Sequence, residues 1–174
     1  MKALVLSGGY GTSLRPLTYS QQKQLIPVAN KPVLYYGLEA ITGAGIRDIG
    51  IVVGPNADMV KDVVGRVDWG ASIEFIHQDE PKGIAHAVGI ARDFIGDSDF
   101  VVYLGDNILK NGIMEHIRRF SSSDASAHIL VNRTHDPRNF GVVVFDGEGK
   151  VARLIEKPKQ PPSPYALVGV YMFT

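Results

Sequence analysis

The sequence predicts an α/β fold, a mostly parallel sheet flanked by helices with a strand-rich C-terminal part, and three observations carry that expectation. Short runs dense in valine and isoleucine recur at residues 2–7, 49–53, 72–76 and 100–104. Stretches with apolar residues at helical spacing lie between them, and a repeated strand–helix–strand order gives parallel strands joined by right-handed crossovers. The first strand then opens into a glycine-dense loop at the sheet edge where ligands of such folds gather.

Taken in order, the first helix is expected to carry Pro32 in its first turn and Leu34, Leu38 and Ile41 on one face. Gly45 can take the left-handed conformation that ends it. A second helix spans 57–64. A third spans 83–94, where Ile84, Ala87, Val88 and Ala91 share an apolar face, and a fourth near 112–120 buries Ile113, Ile117 and Phe120. Beyond Ser121 the texture changes. Ser121-Ser122-Ser123-Asp124 reads as a turn or short linker, and 127–131, 141–145, 151–155 and 166–173 read as strands with little helix between them. Gly147-Glu148-Gly149 suits a hairpin turn, and Pro158 with Pro161-Pro162-Ser163-Pro164 enforces an extended surface excursion.

A chain of 174 residues can bury one sizeable core, so a single domain over 1–174 is expected; its last strand stops at the final residue, and the domain is expected to be incomplete there. Lysine plus arginine equals aspartate plus glutamate, 18 against 18, so no global field draws the molecule to nucleic acid or to an anionic membrane. Any anion site must be local. The absence of cysteine excludes a disulfide scaffold and thiolate metal sites. No apolar stretch approaches the roughly 20 residues of a spanning helix, and no secretory pattern opens the chain, which gives the expectation of a cytoplasmic protein. Homo-oligomer formation is left open.

The most informative segment is the first loop, Leu6-Ser7-Gly8-Gly9-Tyr10-Gly11-Thr12-Ser13-Leu14-Arg15, followed by Lys23 and Lys31. Unshielded glycine amides can curl round phosphate oxygens, and the cations add full charge to the backbone dipoles, which is the chemistry of a nucleoside triphosphate. A dinucleotide turn is the rival reading, but Leu14 stands where its third small residue belongs. Asp106 ends the apolar run 100–104 at the ligand edge, where a carboxylate suits Mg²⁺ or caps the next turn. Glu156-Lys157-Pro158 could place an acceptor and a cation against a phosphorylated sugar, or form a solvated pair. His77, His86, His116, His128 and His135 show no metal-ligand spacing and read as surface or packing residues, and Tyr35, Tyr36 and Trp69 read as core or groove aromatics.

Together the segments Gly8 to Thr12, Lys23 to Pro32, Tyr103 to Asn107, Asn139 to Val143, Glu156 to Pro158 and Val168 to Tyr171 resemble the sugar-1-phosphate nucleotidyltransferases along the whole chain. Within that family they are most like the glucose-1-phosphate thymidylyltransferases of the long, deoxysugar-pathway type. The resemblance implies a Rossmann-like sheet of the nucleotide-diphospho-sugar transferase kind. It also implies a Mg²⁺-dependent reaction of dTTP with glucose 1-phosphate that leaves dTDP-glucose and pyrophosphate. By similarity, Gly8, Gly9, Gly11, Thr12 and Ser13 line the triphosphate, Lys23 and Arg15 are catalytic, and Asp106 binds the metal. Gln78 and Gly83 would read the base, since an amide can pair with a pyrimidine imide edge. Gly141, Glu156, Lys157 and Val168 match sugar-phosphate contacts. Ser13 stands where the family carries arginine, Phe140 where it often carries tyrosine, and a second metal-binding aspartate falls beyond the matched stretch. A nucleotide-sugar-binding remnant with little catalysis, and a uridylyltransferase of the same family, are therefore the alternative expectations.

Overall fold

Strand β1 (Lys2–Ser7) is the axis of the molecule because its three central residues, Ala3, Leu4 and Val5, are fully buried. It pairs in parallel with β4 (Asp48–Val53) on one side and β6 (Phe100–Leu104) on the other, and β4 pairs in parallel with β5 (Ser72–His77). The computed structural model describes residues 1–174 except Ser20; the side chain of Ser13 lies outside the described residues.

Strands buried on both faces read as continuous apolar runs, and the helices show why. Leu4 and Val52 pack with Ala87, Ala91 and Ile95, beneath α3 (Ile84–Ile90) and α4 (Arg92–Ile95). Tyr103 stands in register with Val5, hence on the other face, against α1 (Val33–Gly43): a Cβ at Gly37 would lie 2.9 Å from its ring. On α1, Leu34, Leu38 and Ile41 are fully buried, each contributing about 1.5–3 kcal/mol of hydrophobic stabilisation. Gly45 adopts φ 88° just past the end of the helix. Helix α2 (Ala57–Val64) buries Val60 and Val64, and α5 (Met114–Ser121) buries Phe120.

Two compact units make up the chain. The first comprises Met1–His128 with Tyr171–Thr174 and, among the described residues, holds the four parallel strands and the five α-helices. The second, Ile129–Val170, holds most of β7 (Ala127–Arg133), β8 (Gly141–Phe145), β9 (Val151–Glu156) and most of β10 (Tyr165–Phe173). Here β8 pairs antiparallel with β9 and β10, and β7 pairs β10. The predicted hairpin turn at Gly147-Glu148-Gly149 is closed by Asp146 N–H donating to the Lys150 carbonyl at 2.9 Å.

Several expectations needed correction. Pro32 precedes the first helix instead of joining its first turn, because it lies in a short hairpin of β2 (Pro27–Val28) and β3 (Lys31–Pro32). The turn between them uses Ala29 and Asn30 at φ 47° and 65°. The third helix breaks at Ala91, whose N–H bonds the Val88 carbonyl three residues back and tightens the turn. Ile84, expected in the apolar face of that helix, is 43% exposed and lines an open groove with Val88, Phe100, Tyr171 and Phe173. The expected turn after Ser121 is present, with Ser122 and Ser123 following α5 and β7 starting at Ala127, and the two units separate within β7.

Tyr103 gives a stability test. Its buried phenol donates to the Asn107 carbonyl at 3.1 Å, and burial pushes its pKa up to about 12. The folded state therefore binds the phenolic proton more tightly than the unfolded state does. Its contribution is intact below pH 10 and is lost as pH rises through 12, a swing of about 2–3 kcal/mol. Urea titrations between pH 9 and 12 should show this loss in the parent chain and a flatter profile in Tyr103→Phe.

Candidate active site

Leu6 and Leu104 are register partners at the carboxyl ends of β1 and β6, so the loops that follow them leave the sheet side by side. One begins with Gly8 and the other with Gly105-Asp106, and Gly105 N–H donates to the Leu6 carbonyl at 3.0 Å. A cleft of about 330 Å³ opens there, lined by Leu6, Gly9, Tyr10, Gly11, Thr12, Lys23, Gln24, Leu104 and Asp106.

The cleft is organised by a buried amide. Gln22, 5% exposed, donates through Nε2 to the carbonyls of Ser7 at 2.8 Å and Gly9 at 2.9 Å, and its Oε1 accepts from Asn56 Nδ2 at 3.1 Å. The same Nε2 lies 3.1 Å from Oε1 of buried Gln24. These bonds tie down the glycine loop and the 3₁₀ turn Lys23–Leu25 that carries Lys23. Sequence reasoning missed Gln22; the only available signal was a run of glutamines too polar for the buried course the chain takes. Gly11, at φ 64°, accepts from Thr18 Oγ1 at 2.7 Å, and a Cβ there would lie 3.1 Å from that of Lys23.

Lys23 Nζ lies 2.5 Å from Asp106 Oδ2, with side chains 29% and 25% exposed. Asp106 Oδ1 accepts from Asn107 Nδ2 at 3.0 Å, and Asp106 lines the cleft. Among the described residues no group of three or more histidine, cysteine, aspartate or glutamate side chains could hold a metal. A single carboxylate suits a hard cation that takes its remaining oxygens from phosphates and water, and does not suit a cation caged by protein alone.

The other candidates fall elsewhere. Arg15 is exposed and stacks over Tyr19, its guanidinium carbon 5.2 Å from the ring centroid; it does not line the cleft. Lys31 pairs with Glu39 and lies 4.1 Å from the Tyr36 ring centroid, so its charge is already engaged. Ser13 lies outside the residues whose side chains are described. Tyr35 and Trp69 meet edge to face at 5.0 Å, as packing aromatics do.

Gln78 lies beside the glycine loop. It is 4% exposed, follows β5, and its N–H donates to the Val53 carbonyl at 2.8 Å. A Cβ on Gly8 would sit 2.9 Å from its Oε1, so glycine there lets the amide pack close against the loop. With His77, Asp79, Glu80, Lys82, His86 and Ile90 it lines a polar cleft of about 340 Å³. Gly83, at φ 100°, occupies the position just before α3, a backbone conformation that side chains rarely adopt.

In the second unit, Gly141 and Glu156 are register partners on β8 and β9, and a Cβ on Gly141 would meet Leu167 Cδ1 at 2.8 Å and Glu156 Oε2 at 3.4 Å. Lys157, at φ 39°, donates its N–H to the Phe140 carbonyl at 3.1 Å, and its ammonium lies 3.4 Å from Glu156 Oε1. Val168 follows Leu167 on β10 and is half-buried. The four sugar-phosphate candidates are thus carried by the strands β8 and β10 and the end of β9.

The nucleotidyl transferase family profile matches residues 2–174. A glucose-1-phosphate thymidylyltransferase of Streptomyces griseus is 51% identical over 175 residues, which cover 100% of this chain and 49% of that one. The chain therefore spans about half the length of that curated relative. A solved structure of a candidate glucose-1-phosphate thymidylyltransferase from Bacillus anthracis in complex with a sucrose superimposes with TM-score 0.92 at 35% identity, covering 99% of this chain and 71% of that one. A UDP-glucose pyrophosphorylase complexed with UDP-glucose shares the fold, with TM-score 0.86 at 22% identity over 99% of this chain and 75% of that one. The match over residues 2–174, at half identity to a full-length relative, makes this chain a member of the nucleotidyl transferase family.

Proposed function

We propose that the chain carries the nucleotide-binding machinery of an enzyme that transfers a thymidylyl group from dTTP to glucose 1-phosphate. The observation that carries this reading is the contact of Lys23 with Asp106 inside a cleft walled by Gly9, Gly11 and Thr12. A phosphate oxygen of the sugar phosphate attacks the α-phosphorus of dTTP, the bond to the β-phosphate oxygen breaks, and its electron pair leaves with pyrophosphate. The nucleophile is already an anion, so no side chain need remove a proton. The residues must instead suppress repulsion between anions and hold attacker and leaving group in line.

The glycine amides supply fixed dipoles to the triphosphate. Lys23 and Asp106 neutralise one another before substrate arrives, and an incoming phosphate gives the ammonium a second acceptor. Asp106 would then be available to Mg²⁺, which when bound supplies charge neutralisation at the phosphates. Gln78 reads the imide edge of the pyrimidine, and Gly83 admits the ring. Gly141, Glu156, Lys157 and Val168 contact the sugar phosphate. The relative's name, glucose-1-phosphate thymidylyltransferase, supports this choice of substrates. Uracil presents the same imide edge as thymine, so competition between dTTP and UTP for binding separates the thymidylyl from the uridylyl reading.

Two predictions test this reading. Pyrophosphate release from dTTP, glucose 1-phosphate and Mg²⁺ should fall by about a hundredfold or more in Lys23→Met and Asp106→Asn. An unchanged rate in either variant overturns the assignment, whereas dTTP-induced thermal stabilisation without pyrophosphate release identifies a binding remnant. Ser13→Arg should raise turnover by adding a guanidinium to the glycine loop, whereas Arg15→Ala should leave the parent's rate little changed, since Arg15 stacks on Tyr19 and does not line the cleft. Loss of turnover in Arg15→Ala would give Arg15 the role of that missing charge.

A further inference from the structure

The amide of Gln22 has a direction that its partners fix. Carbonyl oxygens only accept, so the atom 2.8 Å from the Ser7 oxygen and 2.9 Å from the Gly9 oxygen is the amide nitrogen, and Asn56 Nδ2 meets the amide oxygen at 3.1 Å. Asn56 is the exposed residue before α2 and makes no side-chain bond to cap that helix. Gln22 is buried and does not line the cleft, whereas Gly9 and Tyr10 both do.

That direction determines how one peptide of the glycine loop is turned. The Gly9–Tyr10 peptide is trans, and in a trans peptide the C=O and N–H point in opposite directions. With the Gly9 carbonyl held by Gln22, the Tyr10 N–H points away from Gln22, and among the described residues nothing accepts from it. Glycine by itself would let this peptide turn over at little cost, since even a Cβ at Gly9 would meet nothing within 4 Å. Turned over, the loop would set a carbonyl oxygen against the oxygens of a phosphate, which repel it.

We propose that Gln22 is a positioning residue that holds the Gly9–Tyr10 peptide with its N–H toward the cleft, so that the loop meets an incoming phosphate with a donor. The inference rests on the reading of the glycine loop as the triphosphate site. Gln22 itself touches no substrate. It acts through the Gly9 carbonyl, and Asn56 acts one step further back by keeping the Gln22 nitrogen toward that carbonyl.

The test is amide NMR of the 174-residue chain titrated with Mg²⁺ and inorganic tripolyphosphate, a probe that offers the phosphates without the base. In the parent the Tyr10 N–H signal should move downfield as it bonds a phosphate oxygen. Gln22→Met, of similar length and without a donor, should lower tripolyphosphate affinity by about tenfold and abolish the downfield movement of Tyr10 even at saturation. Lower affinity with the Tyr10 movement retained at saturation marks a merely structural role and overturns the inference, as does a Tyr10 signal that stays in place in the parent. Asn56→Ala, at an exposed position, carries the test if Gln22→Met does not fold: affinity should fall by about threefold, and an unchanged value overturns the inference. Lys23→Met separates the two levels. Unchanged tripolyphosphate affinity in that variant removes the reading of the cleft as a phosphate site, and the role of Gln22 with it. Weakened binding there, with the Gln22→Met chain behaving as the parent, overturns only the role of Gln22.

Discussion

The parallel register of β1 with β6 is the constraint on which the site depends. Leu6 opposite Leu104 sends two loops off the sheet at one level, and the Gly105 to Leu6 hydrogen bond carries that alignment one residue past the strands. A slip of one residue would turn buried Leu4 and Val5 to the wrong faces, so the packing that sets the register also sets the distance between the glycine loop and Asp106. The two helical layers supply the packing: α1 against Tyr103, and α3 and α4 against Leu4 and Val52.

On that frame the polar architecture is made of amides more than of charges. Gln22 holds two carbonyls of the glycine loop and a side chain from the start of α2, and Gln78 lies between Gly8 and His86. Both are buried, and a buried amide is stable only when its donors and acceptors are met, so each fixes the backbone or side chain that it touches. Lys23 and Asp106 can therefore remain partly solvated and free to exchange partners, because their positions are held by neighbours that cannot move cheaply.

Glycine acts here through space as well as through conformation. A Cβ at Gly8 would lie 2.9 Å from Gln78 Oε1, and at Gly54 a Cβ would lie 2.5 Å from the Gly8 carbonyl oxygen. The loop lies flat against its neighbours for that reason, leaving Gly9 and Gly11 at the cleft.

Hydrophobic periodicity determined the order and type of the elements, since burial on two faces demands apolar runs and burial on one face demands helical spacing. The strands at 2–7, 100–104 and 141–145 and the helix at 57–64 fell where the pattern places them. The glycine loop and Asp106 were legible as segments that follow apolar strands at the sheet edge where ligands of such folds gather. Tertiary structure alone decided which charges meet: Lys23 reaches Asp106, eighty-three positions further along the chain, while Lys31 is taken up by Glu39 and Arg15 by Tyr19. It also decided that Gln22 and His86, unremarkable as sequence, hold the loop and the amide, and that Ile84 stands exposed. Pairings between residues distant along the chain depend on strand register and helix placement, which local pattern does not encode.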